Sequence, residues 1–179
     1  TMVGGGGADT FDGGTGFDTI LISGTAGSDQ IEVQQTVAGT LIYTVTDQTG
    51  ALIANETDTI SNVEEARIAA GSGDDLIGVI PSETLIAAGT ETSSLRFTVE
   101  GGASNTGDRL VVVDDGLGDT VIHRHGADDQ SGSISVGALA PVVYGDIEYA
   151  QVSPVDAITG ATGTGADGQL VVFKHDGFE

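Results

Sequence analysis

The sequence GGGGADTFD occupies residues 4–12 and is followed without a gap by GGTGFDTIL at residues 13–21. Both segments fit the nine-residue pattern G-G-x-G-x-D-x-U-x, in which U is a large apolar residue. In this pattern the glycines adopt backbone angles that other residues avoid, the aspartate supplies a carboxylate, and the apolar side chain fills the core of a short strand. The tandem copies predict stacked short strands with carboxylates at their turns.

Looser copies of the pattern follow along the chain. Residues 24–31 keep the spacing but lack the second glycine, residues 71–77 lack only the first, and residues 163–167 form a poorer match. The step from Asp18 to Asp29 is eleven residues rather than nine, so we expect the regular pattern to end near residue 22.

A longer repeat is also visible. Residues 62–68 match residues 146–152 at an offset of 84, and residues 29–33 match residues 108–112 at an offset of 79. These matches predict three parts of the chain: a nonapeptide segment at 1–23, a first β unit at 24–100 and a second β unit at 101–179.

Apolar residues elsewhere come in short, β-branched runs bounded by Gly, Asp, Asn and Ser, which is typical of an all-β chain. We expect a β-solenoid that resembles a parallel β-roll; tandem β-sandwich units are the alternative, because residues 40–60 can form a hairpin around Asp47-Gln48-Thr49-Gly50. A helix capping box fits residues 61–64, but the matching segment 146–152 has none, so a strand is predicted in both places. Further predicted strands span residues 19–22, 30–33, 40–46, 76–80, 95–99, 110–113, 120–123, 141–144 and 170–173.

The composition excludes several classes of function. Asp and Glu number 27 against 5 Lys and Arg, a net charge of −22, which repels phosphate backbones and anionic lipids; we expect no nucleic-acid partner. No apolar run approaches the ~18 residues of a membrane span, so membrane insertion is not expected. The chain has no Trp, no Cys and no G-x-S-x-G motif, and we predict that it is not an enzyme.

Stacked loops of this kind gather carboxylates and carbonyl oxygens around a hard cation. Calcium fits such a site because it takes ~6–8 oxygen ligands in flexible geometry, whereas magnesium demands a tight octahedron and keeps its waters. The predicted cofactor is therefore Ca²⁺.

The nonapeptides resemble the repeats-in-toxin, or hemolysin-type, calcium-binding family. In that family two half-turns make one coil of a right-handed parallel β-roll, and calcium lies between stacked loops. The resemblance implies metal-binding positions at Gly5, Gly7, Asp9, Asp12, Gly14, Gly16, Asp18, Asp29, Gly71, Gly73 and Asp75.

The rest of the chain resembles the acidic Gly/Asp/Thr repeats of giant bacterial surface proteins and adhesins, on the residues GSDQIEV at 27–33 and NVEE at 62–65. This resemblance implies a calcium-stabilised structural repeat of an extracellular adhesin, matrix fibre or filament at the bacterial surface, which packs end to end with copies of itself or neighbouring repeats. The alternatives are an adhesin module that binds a ligand such as a surface glycan, or a non-catalytic calcium-binding secretion appendage of a secreted enzyme.

Overall fold

The computed structural model describes residues 7–37, 39–81, 95–114, 121–137, 139–154 and 171–174. Within these ranges the chain forms fourteen strands and no helix, so the predicted all-β class is confirmed there. The first seven strands are β1 (Thr10–Asp12), β2 (Thr19–Ser23), β3 (Asp29–Val37), β4 (Thr40–Asp47), β5 (Leu52–Ser61), β6 (Glu65–Ser72) and β7 (Leu76–Ile80). The others are β8 (Arg96–Ala103), β9 (Arg109–Asp114), β10 (Val121–His125), β11 (Gly132–Val136), β12 (Val142–Gly145), β13 (Tyr149–Pro154) and β14 (Val171–Lys174).

The strands form two open, mixed sheets. The larger has eight strands in the order β1-β5-β4-β3-β7-β9-β13-β14, and the smaller has six in the order β10-β11-β12-β8-β6-β2. Four neighbouring strands run parallel in each sheet, β3-β7-β9-β13 in the larger and β2-β6-β8-β12 in the smaller. Antiparallel hairpins are added to these parallel blocks, the longest being β3-β4-β5.

The chain crosses repeatedly from one sheet to the other. It passes from the smaller to the larger sheet four times: from β2 to β3, from β6 to β7, from β8 to β9 and from β12 to β13. Because the pairings within each block are parallel, the four crossings lie beside one another along one side of the molecule.

The core consists of aligned apolar columns from alternate strand positions. Val, Ile and Leu dominate it, since their branched side chains pack well on a pleated surface. The larger sheet contributes Ile31, Ile77, Leu110 and Ala150, then Val33, Val79, Val112 and Val152; the smaller contributes Ile20, Ala66, Phe97 and Val142, then Ile22, Ile68, Val99 and Tyr144. Burial of each large side chain contributes about 1.5–3 kcal/mol before the entropic cost of ordering it.

The predicted strands agree with the structure. The run at residues 76–80 coincides with β7, and residues 65–72 form the strand β6 rather than a helix. The hairpin at Asp47 is also confirmed: its carboxylate Oδ1 accepts hydrogen bonds from Thr49 N–H at 2.8 Å, Thr49 Oγ1 at 2.6 Å and Ala51 N–H at 2.9 Å. β5 was predicted only as the second arm of this hairpin, and β11 was not predicted.

The internal matches fall on strands with related local geometry. Residues 29–33 and 108–112 map to β3 and β9 of the larger sheet. The matching segments at 62 and 146 both begin with a left-handed residue, Asn62 at φ 52° and Asp146 at φ 55°, but lead into β6 and β13 of different sheets. The division into units at 24–100 and 101–179 stays a prediction, and its limit lies within β8.

Candidate metal centre

The glycines of the nonapeptide pattern adopt the backbone angles that the pattern predicts. Gly7, Gly14, Gly16, Gly71 and Gly73 all have positive φ, between 81° and 127°. This region is unfavourable for residues that carry a Cβ atom. Gly5, also predicted to line a ligand loop, lies outside the described residues.

Asp9 is brought to the larger sheet by the pairing of β1 with the end of β5. The two strands run parallel with Thr10 beside Thr59, and an isolated bridge joins Gly7 to Glu56. Alternation along β5 turns Glu56 and Asp58 towards the interior. Asp9 therefore lies next to Asp58, and its backbone N–H donates to Asp58 Oδ1 at 3.1 Å.

Three carboxylates meet at this point, and we call Asp9, Glu56 and Asp58 the acidic triad. Each offers one oxygen, and these oxygens lie within 4.8 Å of one another. Glu56 is 4% exposed and Asp58 is fully buried. Glu56 Oε2 and Asp58 Oδ2 are buried without a hydrogen-bond partner, so the triad contains acceptor oxygens to which no donor group of the protein is bonded.

The electrostatics of the acidic triad favour a bound cation. Burial raises the pKa of Asp58, the hydrogen bond from Asp9 N–H opposes this, and the Asp9 charge raises it further. Nearby, burial raises the pKa of Tyr43 to about 12, helped by the charges of Asp58, Glu56 and Asp9. Such crowding of buried negative charge is costly unless a proton or a cation compensates it.

Ion pairing within the protein does not supply that compensation in the described part of the chain. The two ion pairs found there join Arg67 to Glu100 and Arg96 to Glu65, each at 2.6 Å, on the smaller sheet. The donor set of the triad is entirely oxygen, which suits a hard cation. These residues could therefore hold a metal ion, with three carboxylates as its protein ligands.

The second nonapeptide is arranged differently. Asp12 is exposed, and its Oδ1 accepts from Asn62 Nδ2 at 2.8 Å and from Gly14 N–H at 3.2 Å; these bonds lower the pKa of Asp12, the one to Asn62 most. The backbone N–H of Asp18 donates to Glu64 Oε2 at 2.9 Å. Asp12 and Asp18 are not members of the acidic triad.

The predicted ligands Asp29 and Asp75 belong to a different arrangement at the sheet crossings. One acid stands at the end of each crossing, and we call these four residues the acidic row: Asp29, Asp75, Asp108 and Glu148. The backbone N–H of each of the first three donates to the carboxylate of the next acid, with distances of 2.7, 2.7 and 2.6 Å. The same contact joins Asp9 to Asp58 and Asp18 to Glu64.

The glycines that precede Asp75 permit close approach of the crossings. A Cβ atom on Gly71 would lie 2.0 Å from Thr25 O, and one on Gly73 would lie 2.5 Å from Ser28 N. A Cβ atom on Gly7, Gly14 or Gly16 would meet no other atom of the described residues within 4 Å. Gly14 and Gly16 therefore serve conformation, whereas Gly13 of the same nonapeptide is required by packing, since its Cβ atom would lie 2.0 Å from Asn62 O.

His123 and His125 lie two residues apart on β10, so both face one side of the sheet. Their ring centroids are 4.8 Å apart, and His123 Nε2 lies 2.5 Å from the hydroxyl of Tyr144. In the part of the chain that the structure describes, the acidic triad is the one group of three or more potential metal-ligating side chains close enough to share an ion. His123 thus contacts β12 through the hydroxyl of Tyr144.

Sequence reasoning identified Asp9 but missed Glu56 and Asp58. The segment ETDTI at residues 56–60 does carry a signal, since its two acids and Ile60 share one face of a strand. An apolar Ile60 pointing inward places both acids inward as well. That inference requires β5 to be recognised first, and its mixture of Asn, Glu, Asp and Thr concealed it.

Comparison with known proteins finds no relative that shares this geometry. No protein-family model, no curated protein and no solved structure matches the chain. Among the described residues, no helix has the length and apolar character needed to cross a membrane. The functional argument therefore depends on the residues themselves.

Proposed function

We propose that the chain is a calcium-stabilised structural module of an extracellular bacterial adhesin, matrix fibre or filament, with the acidic triad as its calcium site. The observation that carries this proposal is the burial of Glu56 and Asp58 with two carboxylate oxygens that lack any partner. A buried anion without compensation costs several kcal/mol, so a site that gathers two of them beside a third, half-buried carboxylate is suited to a cation.

Calcium is the cation that best fits the chemistry. Three carboxylates provide up to six oxygens, and carbonyl oxygens or water can complete the ~6–8 ligands that calcium takes. Zinc sites in proteins depend chiefly on His and Cys, and the triad has neither. The resemblance of the first nonapeptide to calcium-binding repeats points to the same ion, through Asp9.

A calcium ion here would fasten the N-terminal segment to the hairpin. β1 has only three residues, and among the described strands it pairs with β5 alone. An ion held by Asp9 from one side and by Glu56 and Asp58 from the other links the two strands, so binding free energy becomes folding free energy. At a calcium concentration of 100 times Kd the gain is about 2.7 kcal/mol.

The arrangement of strands supports a structural role. We propose that β2–β3, β6–β7, β8–β9 and β12–β13 are four successive coils of a solenoid-like stack, because each pair crosses between the sheets and adjoins the next in parallel. Two packed sheets of a sandwich are the alternative arrangement. Among the described strands of this stack, β2 lies at an edge of the smaller sheet. An edge strand offers backbone groups through which like modules can associate end to end.

The proposal is tested by isothermal titration calorimetry of the purified chain with calcium, repeated with magnesium. Asp58→Asn removes one charge from the triad, and Glu32→Gln removes one from an exposed position of β3 as the matched control. We expect saturable calcium binding in the wild type and Glu32→Gln, weakened at least tenfold in Asp58→Asn, and weaker binding of magnesium. Equal affinity in all three proteins, or no heat in the wild type, contradicts the proposal.

A further inference from the structure

The larger sheet has one face that points away from the core. Its inward positions are buried, among them Ile31, Ile77 and Leu110, so the residues that alternate with them point outward. We call the outward positions of β3, β4, β7, β9 and β13 the neutral face. The strands of this face are neighbours in the order β4-β3-β7-β9-β13, so their outward side chains form one continuous surface.

The neutral face differs in charge from the chain as a whole. Among its described side chains only two are charged, Glu32 on β3 and Arg109 on β9, and their charges cancel. The whole chain has 27 acidic residues and a net charge of −22. Another strongly acidic molecule is therefore repelled less at this face than over the acidic loops.

The middle of the neutral face is apolar. Leu76 is 41% exposed, and Ile80 and Val111 are half-buried. Gly78 lies between Glu32 and Val111 in the register and has no side chain, which leaves a shallow depression beside them. Depletion of charge and exposure of apolar side chains at the centre of a surface are features of protein–protein interfaces.

The two charges of the neutral face are placed to complement a second copy of the same face. Glu32 and Arg109 are exposed and lie two strands apart, roughly 10 Å across the sheet. The ion pairs of the described residues lie on the smaller sheet, and the Arg109 guanidinium is 5.4 Å from the ring of Tyr149 on β13. Contacts about a two-fold axis are reciprocal, so Glu32 of each copy can face Arg109 of the other.

We propose that two copies of the chain pack against each other through the neutral face, with Leu76 and Val111 at the centre and Glu32 of each copy opposite Arg109 of the other. This inference rests on the proposed structural function and adds a side-to-side contact to end-to-end association. The charges favour a second copy as the occupant. A cationic partner is attracted to the acidic loops instead, and polyanions and anionic membranes are repelled by the net charge.

The test is sedimentation equilibrium of the purified chain over a range of concentrations in about 0.15 M sodium chloride, with calcium and with chelator. Val111→Glu places a charge at the centre of the neutral face. Val143→Glu is the matched control, because Val143 is a half-buried outward residue of β12 in the smaller sheet. We expect dimers of the wild type and Val143→Glu, and a dimer Kd at least tenfold higher for Val111→Glu. Circular dichroism melts establish that each variant is folded.

Charge reversal tests the orientation of the two copies. Glu32→Arg and Arg109→Glu each place like charges opposite one another, so we expect each to weaken the dimer. The two changes together restore opposite charges, so the double variant should dimerise as the wild type does. A merely structural effect within one chain does not predict this recovery. Neither residue belongs to the acidic triad, so calcium affinity should stay unchanged in these variants.

Three results would overturn the inference. They are a wild type that stays monomeric in both solutions, association that Val111→Glu leaves unchanged, and equal weakening by Val143→Glu. Calorimetric titration with calcium separates this contact from the metal centre. Calcium binding without dimers counts against the neutral face alone, whereas dimers without calcium binding count against the acidic triad alone.

Discussion

The same side chain serves opposite electrostatic roles at different depths of this molecule. Near the surface, hydrogen bonds lower the pKa of Asp12 and Asp47 because these bonds favour the charged form. The side-chain bond from Asn62 contributes most at Asp12, and the bond from the Thr49 hydroxyl contributes most at Asp47. Asp58 and Asp108 also accept an amide bond, but burial dominates and raises their pKa. Depth, more than residue type, decides whether an acid here is a turn cap or a candidate ligand.

Glycine at position 101 is required by packing, and this can be measured. Gly101→Ala places a Cβ atom 2.0 Å from Asp146 O, which forces the third and fourth crossings apart. We expect it to lower the free energy of unfolding by about 1–3 kcal/mol or more in urea denaturation. Gly145→Ala is the matched control, since nothing lies within 4 Å of its Cβ position; a cost equal to that of Gly101→Ala would contradict this account.

At the scale of elements, sequence predicts strands well wherever apolar residues alternate with neutral ones. β7, with Ile77 and Val79 inward, coincides with its predicted limits. β5 was predicted only as an arm of the hairpin at residues 40–60, and not as a strand in its own right, because its inward positions include Glu56 and Asp58. β11 was missed because GSISV is too short and polar to separate from a loop. Buried acids interrupt the hydrophobic pattern from which strands are recognised. The two buried acids of the candidate site therefore made β5 difficult to recognise from the sequence.

The loops before β7 and β9 are joined by Asp74, which was not predicted to have a role. Asp74 Oδ1 accepts from the backbone N–H groups of Asn105 at 2.8 Å, Thr106 at 2.7 Å and Gly107 at 3.3 Å, and Oδ2 accepts from Thr106 Oγ1 at 2.8 Å. These bonds, those of Thr106 most, lower the pKa of Asp74 to about 2. The Asp74 carboxylate, which lies in the second crossing, thus holds the backbone of the third crossing in place through these hydrogen bonds.

We expect Asp74→Ala to melt at a lower temperature than the wild type at neutral pH. The folded-state pKa lies below the ordinary 3.8, so the wild type gains stability from this group above pH 3.8 and loses it as pH falls through about 2. The difference between the two proteins should therefore shrink in strong acid. Circular dichroism melts at pH 7 and pH 2 measure it, and a difference that grows on acidification would contradict the role given to Asp74.

At the scale of the whole molecule, the acidic composition and the glycine-aspartate repeats are informative by themselves. A net charge of −22 and the tandem nonapeptides predicted an all-β, cation-binding chain, and Asp9 was among the predicted ligands. The partners of Asp9 are Glu56 and Asp58, which lie 47 and 49 positions further along the chain, on a hairpin. Such pairing depends on the register of β1 against β5, and spacing in the sequence does not encode it.

The acidic triad accounts for three of the 27 acidic residues, so salt and calcium should act differently. Added sodium chloride screens the repulsion among the exposed acids, and we expect it to raise the melting temperature gradually even in chelator. Calcium should act at lower concentration and saturate. Melting curves in both titrations, with Asp58→Asn as control, separate the two effects; a calcium effect that merely follows ionic strength would contradict a specific site.

The central claim is that the acidic triad binds calcium, and a crystal structure of the chain grown with calcium tests it most directly. We expect anomalous density between β1 and β5, with carboxylate oxygens of Asp9, Glu56 and Asp58 at about 2.3–2.6 Å from the ion. A well-ordered triad whose carboxyl groups hydrogen-bond to one another, with no ion between them at saturating calcium, would contradict the claim.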